Sequence, residues 1–379
     1  GVAHRLNKLA QNPLKLETSS LETEITNIEN ECSIKLASRQ REALEKVLDA
    51  GVLVITGGPG TGKTTTINAL LELFSRFHLE VKLAAPTGRA AKRMTEATGK
   101  DAKTLHRLLE FSRDGELLRF KRNEENPLNA HVIIVDEASM VDILLMYNLM
   151  KAIPEGCKLL LVGDVDQLPS VGPGNVLHDI IESGAVPVTR LETIFRQAQN
   201  SAIILNAHRI NQGKTPYRKN KEGDFFFMEK KDPEEILPLI LDLCARRLPR
   251  YQNYNPVTDI QVLTPMRRTL LGVDNLNQNL QERLNPPSPK SPELKMGGTI
   301  FRLGDKVMQV KNNYELEVFN GDIGFITTID PEEGELEVTF HDLITPRPVT
   351  YGIEELDELT LSYAITVHKS QGSEYPVVV

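Results

Sequence analysis

Residues 57–64 read GGPGTGKT, the spacing G-x-x-x-x-G-K-[ST] with Gly57, Gly62, Lys63 and Thr64 in the fixed places. Gly58, Pro59, Gly60 and Thr61 complete a loop whose backbone N–H groups can turn toward phosphate oxygens, and a following helix adds its positive dipole end. Lys63 is placed to reach β- and γ-phosphates, and the Thr64 hydroxyl, with Thr65 behind it, to sit on Mg²⁺. A second cluster is acidic. Asp136-Glu137 ends the apolar run Val132 to Val135, where an aspartate can hold a metal shell and a glutamate can polarise water. Gln167, in GDVDQLP, can sense a γ-phosphate or orient that water, although an ordinary turn reads the same way. Arg196, in ETIFRQ, is a candidate stabiliser of charge on a transferring phosphoryl group, with a surface salt bridge as the competing reading. The chemistry these types share is hydrolysis of a nucleoside triphosphate.

Such side chains need a parallel sheet to hold them. Val52 to Ile55 reads as a buried strand before the glycine loop, and Thr65 to Phe77 has helical spacing after it. Val81 to Ala85, Val132 to Val135, Lys158 to Val162, Val186 to Leu191 and Ile260 to Thr264 read as further buried strands. A helix starts near Ser38, a plausible N-cap. It carries Gln40, which can read adenine from upstream of a P-loop or simply be a solvated glutamine. Residues 1–30 are polar, with a short helical pattern at Val2, Leu6 and Leu9, and read as the tail of a preceding domain plus a linker.

Between Lys82 and Arg107 seven basic residues face only Glu96 and Asp101. A locally basic stretch on a chain of net charge -8 suggests contact with a polyanion, against the plainer reading of a solvated helix face. Asp114-Gly115 marks a hairpin within FSRDGELLRFKR. After the proline-rich Asn285 to Pro292, short strands at 305–310, 319–329 and 335–340 form a small β unit. At 379 residues, two or more domains are expected. Three dispersed cysteines, Cys32, Cys157 and Cys244, show no metal-ligand spacing and suit a reducing cytosol. No apolar run approaches the ~20 residues that span a membrane. The chain does not begin with Met and reads as a piece of something longer.

In order and wording, these stretches resemble the RecD-like branch of superfamily 1 DNA helicases over residues 36–379. GGPGTGKT is similar to that family's motif I, APTGRAA to motif Ia, TLHRLL to the next strand-contacting motif and VDEAS to motif II. GDVDQLPSVGPG resembles motif III, ETIFRQ motif IV with LTPMRR its continuation, and YAITVHKSQGSE motif V. The resemblance implies two RecA-like P-loop domains. One spans 36–212 with an inserted hairpin at 110–128. The other spans 213–379 with an SH3-like insertion at about 303–350. Residues 1–35 precede them. It implies ATP and Mg²⁺ in the cleft, and single-stranded DNA or a single-strand/duplex junction across the top. By carry-over Gln40 reads adenine, and Gly372 and Glu374 contact nucleotide from the second domain. Pro86, Thr87, Arg89, His106, Arg107, Thr366, His368 and Ser370 touch DNA. Kinship alone implies 5′ to 3′ movement, a role in repair or recombination and a bacterial cytoplasmic protein, acting either as a monomer on its own or inside a larger repair complex. The family's motif VI, with a second arginine finger, does not appear before Val379. A core that binds ATP and DNA with little hydrolysis therefore stands as one alternative. An RNA-directed motor and an unrelated P-loop ATPase are the others.

Overall fold

Successive residues of the apolar runs face opposite ways, and each face has its own core. Val52 and Val54 point into one cluster while Leu53 and Ile55 point into another, and the same split separates Ile133 from Ile134 and Leu159 from Leu160. A strand apolar on both faces must lie inside a sheet covered on both sides. The computed structural model describes residues 1–114, 117–193, 200–218, 223–289, 291–313, 316, 318–340 and 347–379. It divides into two units, one of residues 1–86 and 90–227, the other of 87–89 and 228–379.

The first unit is built on strands β1 (Val52–Gly57), β2 (Val81–Ala85), β3 (Ala102–Thr104), β6 (Val132–Val135), β7 (Lys158–Gly163) and β8 (Val188–Leu191). Their order is β3-β2-β6-β7-β1-β8, with every pairing parallel. β4 (Phe111–Asp114) and β5 (Leu117–Phe120) form a separate antiparallel hairpin in which Asp114 pairs with Leu117, so Asp114 ends the strand and is not a turn residue as expected.

Helices α1 (Val2–Gln11), α2 (Leu21–Glu31), α3 (Ser38–Asp49) and α4 (Lys63–Arg76) come from the N-terminal third. α5 (Gly88–Thr98), α6 (Leu105–Leu108), α7 (Ile143–Ala152), α8 (Val176–Ser183) and α9 (Ala202–Asn211) follow. Residues from α1, α7 and α8 fill one cluster, and residues from α2, α3 and α4 fill the other.

Residues 1–35 are thus no linker. α1 buries Leu6 and Leu9 against Val52 and Val54, and α2 buries Ile25 and Ile28. The fit at α1 is close: a Cβ on Gly51 would lie 2.1 Å from Leu9 O. Sequence reading missed it because only two positions per helix carry the packing and the rest of each helix is polar. The first unit also runs on to Phe227, past the boundary expected at 212. At the start of β7, the fully buried Lys158 donates to Leu48 O (3.1 Å) and Ala50 O (2.9 Å), caring for the last carbonyls of α3.

The second unit has helices α10 (Pro233–Asp242), α11 (Leu248–Gln252) and α12 (Val273–Leu284). Its parallel core is small: β9 (Ile260–Thr264) lies between β17 (Ala364–Thr366) and β18 (Val377–Val378). β10 (Glu293–Met296) and β11 (Thr299–Arg302) make a two-stranded ribbon. A five-stranded antiparallel sheet follows, ordered β15-β14-β13-β12-β16. Its members are β12 (Lys306–Gln309), β13 (Ile323–Asp330), β14 (Glu335–Phe340), β15 (Arg347–Tyr351) and β16 (Leu359–Leu361). The insertion expected to end near 350 therefore extends to β16, which closes it on β12, and Ser362 N donates to Lys306 O at 2.8 Å. Beneath it sits Asp305, fully buried. Its Oδ2 accepts from Gln281 Nε2 (2.6 Å) and Arg302 N (2.7 Å), and its Oδ1 from Asn285 Nδ2 and Tyr363 OH (both 2.8 Å).

Candidate nucleotide site

The glycine loop can curl because Gly60 and Gly62 adopt φ of +73° and +82°, left-handed values that cost a side chain dearly. Gly57 is needed for a different reason: a Cβ there would meet Thr61 Oγ1 at 2.5 Å and Leu191 O at 2.8 Å. The loop is held by its own side chains. Thr61 Oγ1 donates to Gly58 O (2.8 Å), and Lys63 Nζ donates to Gly57 O (2.7 Å) and Gly58 O (3.2 Å). Thr66 Oγ1 donates to Gly62 O at 2.9 Å. Thr64 is exposed at the head of α4, and Thr65 is half-buried behind it.

Gln40 is not the solvated glutamine of the plainer reading. It is fully buried, its Oε1 accepts from Ala37 N (2.9 Å), and its Nε2 donates to Gly62 O (3.1 Å). Both ends of the amide are engaged, so here it braces the loop. Each end keeps one unused position, a second N–H on Nε2 and a second lone pair on Oε1.

The acidic pair stands at the carboxyl end of β6. Glu137 has φ +51°, and its N–H donates to Asp136 Oδ1 at 2.9 Å. Burial pushes both carboxyls above their ordinary values. Asp136 raises Glu137 further, while Lys63 and Arg93 draw both back down. Glu137 Oε2 is buried without a hydrogen-bond partner, and Oε1 lies 3.9 Å from Arg93 Nη1. These two residues, Asp136 and Thr64 share the wall of a cavity of about 40 Å³, room enough for ordered water.

A larger cavity, about 550 Å³, lies on the other side of the loop and is lined by Gly58, Pro59, Asp164, Asp166, Gln167 and His208, among others. Gln167 is exposed on its rim, with its N–H donating to Asp164 O at 3.2 Å. Asp164 is buried, which raises its carboxyl, and it accepts from Asp166 N at 3.1 Å. His208, from α9, puts Nε2 3.3 Å from Pro59 O. A Cβ on Gly58 would come within 2.7 Å of its Cε1. Asp164, Arg93 and His208 were not singled out for this site from sequence. Asp164 sits inside the GDVDQ stretch and was legible, whereas only the packing of α5 and α9 brings the other two in. Arg196 lies outside the described residues.

The residues assigned to strand contact are distributed over both units. Pro86 and Thr87 follow β2, and Arg89 is in the first turn of α5. Thr104 Oγ1 caps α6 by accepting from Arg107 N (3.1 Å). His106 turns inward, its ring 5.6 Å from that of Phe111 and 5.8 Å from that of Phe120, and burial lowers its pKa. It therefore anchors the hairpin as a neutral ring, and Arg107 carries the local positive charge. In the second unit Thr366 Oγ1 accepts from Lys369 N (3.3 Å), and Ser370 Oγ donates to Val367 O (2.7 Å). His368 begins the same 3₁₀ turn, Gly372 sits at φ +70°, and Glu374 follows on the same segment.

Residues 40–173 match a family described as an AAA domain, and residues 276–340 match the ATP-dependent RecD-like DNA helicase SH3 domain. The chain is 38% identical over 344 residues to the ATP-dependent RecD2 DNA helicase of Deinococcus radiodurans, covering 90% of this chain and 44% of that protein. It is 33% identical over 372 residues to the RecBCD enzyme subunit RecD of Mycobacterium tuberculosis, covering 88% of this chain and 62% of that one. The chain thus spans less than two thirds of either relative. Among solved structures, a Bacteroides Pif1 helicase in complex with ADP-AlF3 and single-stranded DNA shares the fold at TM-score 0.51 and 19% identity, over 91% of this chain and 86% of that one. Among the described residues, no helix is long and apolar enough to cross a membrane.

Proposed function

The chain belongs to the RecD-like family of superfamily 1 helicases, and from that premise we propose that it is an ATP-driven motor core that moves 5′ to 3′ on single-stranded DNA and opens duplexes. The observation that carries this reading is that Lys63, Asp136-Glu137 and Gln167 follow β1, β6 and β7 at the carboxyl edge of one sheet, with Lys63 near enough to act electrostatically on both carboxylates. Ligands of parallel α/β sheets sit at that edge.

Lys63 has somewhere to go. It now holds two loop carbonyls, and incoming phosphates offer its ammonium a stronger, charged acceptor. The loop N–H groups and the head of α4 would take the remaining phosphate oxygens. Glu137 would accept the proton side of an attacking water through the unpartnered Oε2. Thr64 and Asp136 suit Mg²⁺, a hard cation that takes a few protein oxygens and fills its shell with phosphate and water. When bound, it would neutralise charge on the phosphates. Arg107, Arg89 and the turn at His368 to Ser370 are proposed to grip the strand, and the β4–β5 hairpin to part the duplex. The proposed setting is repair or recombination, with the protein acting as a monomer.

The test is ATP turnover by this chain with and without single-stranded DNA, beside Lys63→Ala. DNA-stimulated turnover lost in the variant supports the proposal. Turnover indifferent to nucleic acid refutes it, and binding of both ligands without turnover favours the non-hydrolysing core. Equal stimulation by RNA redirects the substrate assignment, because the 2′-OH is what separates the two.

A further inference from the structure

We infer that Arg93 is a positioning residue for Glu137, linking the strand-contacting head of α5 to the carboxylate that activates water. The inference rests on the hydrolytic reading above and adds to it how the strand reaches the chemistry.

Arg93 and Glu137 come from different elements and meet only through packing. Nη1 stands 3.9 Å from Oε1, and both side chains line the small cavity with Thr64 and Asp136. The two carboxylate oxygens are treated unequally. Oε1 faces the guanidinium, and Oε2 is buried without a hydrogen-bond partner. A carboxylate in that pose has one oxygen held and the other ready to accept from a water in the cavity. The backbone cannot reorient it freely, since Glu137 is at φ +51° with its N–H tied to Asp136.

The pair is a poor device for stability. Its distance is long and the Arg93 side chain is 43% exposed, so screening leaves little Coulomb gain. Orientation is the better account. α5 is anchored by buried Ala90, Ala91 and Met94, of which Ala90 and Met94 line the same cavity as Arg93. Arg89 precedes Arg93 by four residues, which puts both on the same face. Arg89 Nη1 donates to Ser373 Oγ (2.6 Å) and Tyr375 OH (2.7 Å), so a strand that draws Arg89 from those partners would act on the helix turn that carries Arg93.

Arg93→Ala and Arg93→Lys should be compared with the unaltered chain for ATP turnover with and without oligo-dT, for ATP KM, and for binding of a fluorescent ADP analogue. We expect Arg93→Ala to cut DNA-stimulated kcat about tenfold or more, the low end of what a mispositioned base loses. KM and analogue affinity should stay within about threefold, and Arg93→Lys should recover most of the rate. In a Glu137→Gln background, Arg93→Ala should cost nothing further. Stimulated kcat preserved in Arg93→Ala, a loss confined to KM or analogue binding, or a loss that adds to that of Glu137→Gln would overturn the inference. Should the unaltered chain fail to turn over, the hydrolytic proposal falls separately. Crystal structures of the ADP-bound chain and of its Arg93→Ala variant then decide: a Glu137 carboxylate that swings away without the guanidinium supports the positioning role, and one that keeps its orientation overturns it.

Discussion

Asp305→Ala should unfold the second unit at a much lower temperature while leaving the first unit intact. The carboxylate sits where α12, β11 and the end of β16 converge, and it accepts four hydrogen bonds within 2.6–2.8 Å. Alanine strands the Arg302 N–H and the Tyr363 hydroxyl and takes one acceptor from each of the Gln281 and Asn285 amides, which keep Ile300 O and Leu303 O. Three of those donors belong to residues no more than 4% exposed. A buried donor without an acceptor costs about 1–3 kcal/mol. Against this stands relief from burying the carboxyl, which pushes its pKa upward. Removing one side of a buried charged network costs about 3–5 kcal/mol on balance. In a domain of this size, about 1 kcal/mol moves the melting temperature roughly 2–4 °C, so a drop on the order of 10 °C follows. Two units make a single overall transition a poor measure. Hydrogen exchange read by mass spectrometry separates them: protection should fall in peptides covering α12 and β11 to β13 and hold in those covering β1 and β7. Asp305→Asn should fall between, because one amide end repels two of the donors. A melting shift under about 2 °C, or protection lost equally in both units, would refute the reasoning.

Other outcomes follow from the first unit. Gly58→Ala should weaken ADP-analogue binding about tenfold by pressing on His208, and His208→Ala in the same chain should restore most of it; a double variant no tighter than the single would count against that contact. Burial pushes Lys158 down to about 8. The unfolded chain then holds more protons than the folded one between pH 8 and the ordinary lysine value of about 10.4. Stability relative to Lys158→Met should therefore rise across that window by up to about 3 kcal/mol, readable in urea titrations at pH 7.5 and 10, and a flat or falling difference would contradict it. Phe120→Ala removes a ring 4.6 Å from Phe111 and 5.8 Å from His106. It should loosen the hairpin by about 1–2 kcal/mol, reducing strand separation in a fork assay while DNA-stimulated ATP turnover holds; equal loss of both would argue that the cluster serves something else.

What sequence revealed was what has a local grammar. The glycine loop, the strand-end acidic pair and the Asp-Gly hairpin each announce themselves through residues adjacent in the chain. Runs apolar at every position told of a sheet covered on both faces. The failures share one cause. α1 and α2 bury two residues each in an otherwise polar stretch, so their membership in the first core depends on a surface far along the chain. Gln40 bonds Gly62, twenty-two positions on, and the same amide type suits a ligand or a loop carbonyl equally well. Arg93 lay among seven basic residues, and nothing in its neighbours marked it as the one that lies beside Glu137. Lys158 looks like a strand-edge lysine until the end of α3 is placed above it.

The hydrogen bond from Ser362 N to Lys306 O has a meaning for the history of the chain. The first and last strands of the antiparallel sheet in chain order, β12 and β16, are neighbours, so the polypeptide departs from its parallel core and comes back through one doorway. Everything in between is a side room. Such a module can be lengthened, exchanged or lost by insertion and deletion without re-threading β9 and β17. Diversity among chains built on this plan should therefore concentrate in the side room, while the residues framing the door, Asp305 foremost, stay put.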